Sequence, residues 1–329
     1  MREIMVRDAI REAMAEEMRR DSRVFLMGED VAEHGGNFLV TTGMHREFGS
    51  ERVFDTPLSE SALVGAGVGA AMMGMHPIVE IMFADFVTIA MDGIVNHAAK
   101  VYYMSGGEVT APLVIRLAAY GAGRRSGAHH SQSVESYLTN VPGLTLVAPS
   151  TAYDAKGLLK AALRASNPVI FLEHKMLYAK KGPVPEEEYI LPIGSADVKR
   201  PGTDLTIVAY GRMVDVSLAA AITLEKQGLS AEVVDLRSLQ PLDEETIIGS
   251  VEKTGRLLIV HEAPVRGGFG GEVAAVVAEK ALGYLDAPIK RVGAPWTPVP
   301  FSPTLEDAYV PQEADVVRSA IEITTGLSH

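Results

Sequence analysis

The stretch DTPLSES places Glu60 between two serines, just after a proline and ahead of the apolar, glycine-rich run ALVGAGVGAAMMG. Two readings are open. An acid in a first helical turn favours the helix dipole, with Ser59 as the cap. Alternatively, it is a reactive carboxyl group held away from water. The paired His129 and His130 in GAHHSQSVES lie in a polar stretch before a helical pattern, where acid–base work and ordinary surface exposure compete evenly. No H-E-x-x-H motif or second ligand cluster at helical spacing accompanies them. His261, in VHEAP, ends a strand pattern and reads as a satisfied structural histidine. In EIMFADF, Phe83, Asp85 and Phe86 close another strand. Ligands of α/β folds bind at that edge of the sheet, so an aromatic there can stack on a flat ring, although core packing is the commoner fate.

Two glycine runs compete for a phosphate. GAGVGA fits the loose G-x-G-x-x-G/A pattern of an NAD-binding dehydrogenase through Gly65, Gly67 and Ala70. It lacks the strand immediately before it and the acid closing the next strand, and reads instead as a tightly packing helix. RGGFGGEV, 266–273, is better placed, between an apolar strand and a helix. An anion-binding helix start, a tight turn and a contact surface all remain open there. No G-x-S-x-G elbow occurs, so a serine hydrolase of the common α/β type has no support.

Around these residues stands a chain of 329 residues, 47% hydrophobic and 22% charged, long enough for two domains with sizeable cores. A net charge of −12 argues against nucleic acid as a partner. The absence of cysteine excludes disulfides, thiolate metal sites and a cysteine nucleophile. The N-terminus mixes acids and bases without an apolar core, so no signal peptide is expected. The least charged stretch, 61–79, is interrupted by glycines, His76 and Pro77, short of the roughly 20 apolar residues of a membrane span. The expectation is a soluble, cytoplasmic protein with no membrane partner.

The elements follow an α/β rhythm. MVRDAIREAMAEEMRR predicts an amphipathic helix, RVFLMGED and RVFDTP short strands, and HPIVEIMF a near-continuous apolar strand. A helix follows Glu60 to about Met73, and a long helix is expected from about Asp85 to Tyr103. APLVIRLAA, LTLVAPS and NPVIFLEH read as further strands. Strands that are apolar throughout and alternate with helices imply a buried, mostly parallel sheet flanked by helices. The domains expected are 1–180, a Pro/Gly-rich linker at 181–203, and a second, smaller α/β domain at 204–329.

Taken in order, GEDV, RVFDTPLSE, EIMFADF, YYMSGG, HHSQS, PSTAYDAKGLL, VVDLRSLQPLD, HEAP and DAPIKRV resemble one family. It is the beta subunit of the thiamine-diphosphate-dependent 2-oxo acid dehydrogenase component, which catalyses the decarboxylating first step of those multienzyme complexes. The likeness runs from about residue 4 to the C-terminus. The tail LDAPIKRVGAPWTPVPFSPTLEDAYVP is similar to bacterial acetoin and pyruvate dehydrogenase beta subunits, and FADF, HSQS and HEAP also match branched-chain members. The resemblance implies a transketolase-like pyrimidine-binding domain at 1–180 and a transketolase C-terminal-like domain at 204–329.

It also implies roles. Glu60 matches the glutamate that hydrogen-bonds the cofactor's aminopyrimidine, and a carboxyl group drawn partly out of water can share a proton with a ring nitrogen. Phe86 falls where an aromatic ring lies against the pyrimidine, and Leu58 and Met82 where the same pocket is lined. His130 matches the histidine proposed to assist acyl transfer to the lipoyl arm, whereas His129 has no counterpart. The backbone of Ala162, Leu163, Ala165 and Asn167 matches a potassium-holding segment, with Ala165 where an acid is common. The family's metal-binding G-D-G segment is missing from this chain. A diphosphate needs a counter-cation, usually Mg²⁺. The resemblance therefore implies an alpha subunit that holds the magnesium, an α2β2 assembly sharing the cofactor, and docking to a lipoyl-bearing acyltransferase core. The expected reaction is oxidative decarboxylation of a 2-oxo acid, pyruvate foremost, with acyl transfer to lipoamide; acetoin and branched-chain 2-oxo acids are the alternatives within the family.

Overall fold

Strands without a polar face need cover on both sides, and the first half of the chain supplies it. The computed structural model describes residues 1–326, so the last three residues of the expected second domain lie outside the described residues. The chain falls into two units. Residues 1–121 and 137–193 form one; residues 122–136 and those from Gly194 onward form the other.

The first unit runs through β1 (Arg2–Met5), α1 (Val6–Arg20), β2 (Val24–Gly28), α2 (Met44–Phe48), β3 (Val53–Asp55), α3 (Glu60–Met72), β4 (His76–Ile81), α4 (Val101–Met104) and β5 (Val114–Tyr120). It resumes through α5 (Ser136–Thr139), β6 (Thr145–Val147), α6 (Ala152–Leu163), β7 (Val169–His174) and β8 (Lys181–Val184). Its central strands stand in the order β6-β7-β5-β4-β2-β3, all parallel. Every residue of β2, β5 and β7 is buried. The strand order turns between β2 and β4, because β3 lies on one side of β2 and β4 on the other; such a switch point opens a crevice at the carboxyl ends of the strands.

On one face, α1 buries Ala9, Ile10, Ala13, Met14 and Met18, the i, i+3, i+4 spacing of an amphipathic helix. It packs against α6, which begins where the Thr151 hydroxyl accepts the backbone N–H of Asp154 at 3.1 Å. Three cations of α6 and its C-cap reach carboxylates of α1: Lys156 to Glu16 at 2.6 Å, Lys160 to Glu16 at 2.8 Å and Arg164 to Glu17 at 2.5 Å. On the other face, α3 lies on β4 so closely that a Cβ at Gly67 would sit 2.5 Å from the Val79 side chain.

The second unit contains β9 (Asp197–Arg200), β10 (Leu205–Ala209), α7 (Met213–Glu225), β11 (Ala231–Asp235), β12 (Ser238–Gln240), α8 (Glu244–Thr254) and β13 (Leu257–Pro264). It ends with α9 (Gly270–Lys280), β14 (Lys290–Ala294), α10 (Pro303–Tyr309) and α11 (Glu313–Thr325). Its sheet order is β14-β13-β10-β11-β9, parallel except for the edge strand β9. The Asp243 side chain caps α8 through the Thr246 N–H, and Gly255, at φ 68°, ends it.

Two elements differ from expectation. The single long helix from Asp85 to Tyr103 is instead a 3-10 stretch, Ala84–Ala90, a π-helical turn, Gly93–Ala98, and the one-turn α4. The apolar pattern locates this segment but does not distinguish i+3, i+4 and i+5 bonding. Packing selects the winding: Gly93 approaches Val64 of α3, and the Ser61 hydroxyl donates to the Ile89 carbonyl at 2.5 Å. The stretch expected as a linker holds two strands. β8 pairs antiparallel with β1, and β9 with β11, the unit division falling between Ile193 and Gly194. Edge strands tolerate the proline and charge that disguised them. No helix among the described residues is long and apolar enough to cross a membrane.

Candidate active site

Three elements meet the switch-point crevice of the first unit. Glu60 is the first residue of α3 and is buried, and the Ser59 side chain makes no capping bond. The cap reading therefore fails for Ser59, leaving Glu60 in a first helical turn away from solvent. Glu29 follows directly on β2; it is 4% exposed, and its Oε1 has no hydrogen-bond partner. Burial, with the charges of Glu60, Asp30 and Glu80 around it, pushes the Glu29 carboxyl up to about 7. The sequence reading did not single out Glu29. Its signal was a pair of acids closing an apolar strand in GEDV.

Met82 and Phe86 come from the turn after β4. Met82 is half-buried and takes the Asn37 side-chain amide on its sulfur. Phe86, also half-buried, meets Phe83 edge-on at 6.3 Å, and Phe83 meets Phe38 edge-on at 5.9 Å. Leu58 is 81% exposed. The residue types fit one half of a thiamine diphosphate site: Glu60 is an acid able to meet a ring nitrogen, the orphaned carboxyl of Glu29 is close enough to feel its charge, and Met82 and Phe86 offer apolar and aromatic surface after β4. They do not supply the other half. Among the described residues, no group of three or more His, Cys, Asp or Glu side chains is disposed to hold a metal.

Beneath this crevice lies an ionic cross-link that the sequence reading did not single out. Arg116 of β5 is wholly buried; its Nη1 donates to Glu80 of β4, and its Nε and Nη2 donate to the two oxygens of Glu173 of β7 at 2.5 and 2.7 Å. The Tyr178 hydroxyl donates to Glu173 at 2.8 Å. Burial raises Glu80 above the usual carboxylate range, with Arg116 opposing that shift. The signal was one charge inside each of three apolar strands.

His130 lies in the loop 122–136, which belongs to the second unit. It is partly exposed, with its ring 4.6 Å from that of the exposed His129. Of the residues expected to act together, Leu58, Glu60, Met82 and Phe86 thus sit in the first unit and His130 in the second. His261 is buried as read; its Nδ1 pairs with the Ala263 carbonyl at 3.0 Å, and burial lowers it to about 4, keeping the ring neutral. The glycine run 266–273 accommodates that ring. A Cβ at Gly268 or Gly270 would lie 2.5 or 2.6 Å from it. The N–H groups of Gly271 and Glu272 already donate to the carbonyls of Gly268 and Phe269, so the tight-turn reading holds over an anion cradle.

The NAD-binding alternative is overturned. Gly65, Gly67 and Ala70 all lie inside α3, so they form no strand-to-helix turn for a pyrophosphate. At the expected potassium segment, the Ala162 carbonyl accepts the Ala165 N–H at 3.2 Å, and the Leu163 carbonyl is hydrogen-bonded by His76.

Comparison with known proteins agrees with this layout. Residues 2–181 match the family model described as "Transketolase, pyrimidine binding domain", and residues 194–316 that described as "Transketolase, C-terminal domain". The chain is 52% identical over 316 residues to the 2-oxoisovalerate dehydrogenase subunit beta of Bacillus subtilis (strain 168), covering 95% of this chain and 96% of that one. From the same organism, the beta subunit of acetoin:2,6-dichlorophenolindophenol oxidoreductase is 48% identical, with 98% and 97% covered. Its pyruvate dehydrogenase E1 component subunit beta is 46% identical, with 98% and 99% covered. Among solved structures, a split-gene transketolase, described as an inactive beta4 tetramer, superimposes with a TM-score of 0.80 at 26% identity, with 98% of each chain covered. A buried glutamate opening α3 at a switch-point crevice, on a chain matched almost end to end by such relatives, places this protein in the family of beta subunits of the thiamine-diphosphate-dependent 2-oxo acid dehydrogenase component.

Proposed function

We propose that this chain works as one half of a decarboxylating 2-oxo acid dehydrogenase, completed by an alpha subunit in an α2β2 assembly and docking to a lipoyl-bearing acyltransferase core. The observation that carries it is α3. One helix holds Glu60 buried at its start and shows an outer face of Ala62, Gly65, Ala66 and Gly69, all exposed, with open space beside both glycines. Such a face admits a closely packed partner. The split-gene transketolase, described as inactive as a beta4 tetramer, supports the need for one.

Thiamine diphosphate, when bound, supplies a ring that accepts the electron pair left behind by departing carbon dioxide. Glu60 would hold a proton at the ring nitrogen of its pyrimidine, and Glu29, near neutrality, would be able to exchange that proton. Phe86 and Met82 would lie against the ring and keep water from it, and Leu58, exposed in this chain, would line the same pocket once the partner covers it. Magnesium belongs to the alpha subunit. A potassium ion at Ala162, Leu163, Ala165 and Asn167 has no second observation behind it, and no step depends on one. In the overall reaction the bond to the carboxylate breaks, the former carbonyl carbon is oxidised as the lipoyl disulfide is reduced, one sulfur takes the acyl group and the other a proton. His130 assists that transfer.

For the substrate we favour pyruvate, from the C-terminal tail. A branched 2-oxo acid is the second reading, favoured by the 52% identity to the 2-oxoisovalerate enzyme's subunit. Co-expression with an alpha subunit, followed by turnover of pyruvate, 2-oxoisovalerate and acetoin, decides among them. Glu60→Gln in that assembly is expected to cost on the order of 10²–10⁴-fold in kcat. Turnover by this chain alone with thiamine diphosphate and magnesium would sink the reading.

A further inference from the structure

The loop 122–136 is tied at both ends by buried side chains of its own unit, and its middle carries the two histidines. At the near end, the Ala122 N–H donates to Glu262 Oε1 at 2.6 Å and the Gly123 N–H to Glu306 Oε1 at 3.0 Å. The Arg125 N–H donates to both Glu306 oxygens at 3.2 Å, and its guanidinium to Glu306 at 2.5 Å and Asp307 at 2.7 Å. At the far end, the Tyr210 hydroxyl donates to Glu135 at 2.6 Å. The Glu306 side chain is fully buried, and these donors satisfy its oxygens. They hold Arg125 at φ 59°, a left-handed conformation that a non-glycine residue rarely adopts unaided.

We propose that Glu306 is a positioning residue for acyl transfer: by gathering the Gly123 and Arg125 amides and the Arg125 guanidinium onto one carboxylate, it sets the path of the loop that presents His130. This rests on the acyl-transfer reading of His130 above. Glu306 touches no reacting atom. Its bonds go to a loop 181–183 residues away in sequence, and they immobilise the backbone five to seven residues before His130. Misplacement of a reacting group by about 1 Å can cost up to 10²-fold in rate. Arg125 is thereby committed to Glu306 and Asp307, so it is not the cation that reads a substrate carboxylate.

The test uses the assembled enzyme and two assays: reductive acylation of a lipoyl domain, and substrate oxidation by an artificial electron acceptor. Glu306→Gln keeps the shape but loses an acceptor oxygen and the charge. It is expected to lower kcat for lipoyl acylation about tenfold or more, leave acceptor-linked turnover and the substrate KM within about twofold, and speed hydrogen exchange at the Gly123 and Arg125 amides. Glu306→Asp, which retains the charge, should recover part of the loss and guards against a folding failure of the first variant. A parallel fall in both assays, or no fall in either, overturns the proposal. His130→Ala is the control: full lipoyl acylation by that variant overturns the His130 reading and the positioning role with it, whereas a loss there with Glu306→Gln unaffected overturns the positioning role alone.

Discussion

The two units bury charge to different ends. In the first, Arg116 lies between Glu80 and Glu173 on three adjacent strands, and the ions cross-link the sheet itself. In the second, Glu262 and Glu306 reach past the sheet and hold the backbone of a loop. A charge that joins strands stabilises what the strands' own hydrogen bonds already dictate. A carboxylate that joins a loop holds a path, with Arg125 at φ 59°, that the loop would not keep by itself. Each unit also holds a buried group displaced from its ordinary range. Glu29 is raised to about 7, and His261 is lowered to about 4.

The largest expected effect tests whether Arg116 is truly a cross-link. Arg116→Leu strands two buried carboxylates and should destabilise the first unit by about 3–5 kcal/mol, read as lost hydrogen-exchange protection in β4, β5 and β7 with the second unit's sheet unchanged. Equal loss in both units would erase the distinction drawn here.

Next comes pH. His261 at about 4 lies below its unfolded 6.5, so the unfolded state binds more protons between those values. Its contribution to the second unit is present above pH 6.5 and is lost as pH falls toward 4, by on the order of 3 kcal/mol. Glu29 at about 7 lies above 4.5, so the native state binds more protons there. The contribution of Glu29 to the first unit is therefore full below pH 4.5 and is lost as pH rises through 7. The two contributions have opposite slopes. Glu29→Gln should abolish the decline in the first unit and His261→Gln the acid sensitivity of the second, each followed by unit-resolved exchange across pH 4–8.

Smaller effects come from close packing. Gly67→Ala pushes a methyl into Val79, and Gly268→Ala pushes one into His261 and the Pro264 carbonyl. Each should cost about 1–3 kcal/mol in urea unfolding, in its own unit. Gly65→Ala meets open space and should stabilise the isolated chain by about 0.5–1 kcal/mol, as alanine does in a helix interior, while weakening assembly with the alpha subunit. Unimpaired assembly of that variant would remove α3 as the contact face.

Much of the fold was legible because unbroken apolar strands alternate with helical patterns, which leaves few arrangements other than a covered parallel sheet. Glu60 was legible as an acid at the head of an apolar helix. Glu29 was harder, since a lone acid after a strand looks like any strand end until its neighbours are known. Glu80, Arg116 and Glu173 were illegible for a similar reason: each charge contradicts its own strand, and they make sense only once the register puts them side by side. β8 and β9 hid in a Pro/Gly-rich stretch because edge strands permit that composition.

Residue order alone settled the alternation of buried strands with helices and the absence of cysteine chemistry, because periodicity and composition are local properties. Folding in three dimensions settled the rest: the winding of residues 84–104, the near-neutral carboxyl of Glu29, the neutral ring of His261 and the unit to which the histidine loop belongs. Each of these depends on burial or on partners far along the chain, 140 and 183 residues away for the bonds that hold the loop, and no local pattern encodes a neighbour at that distance.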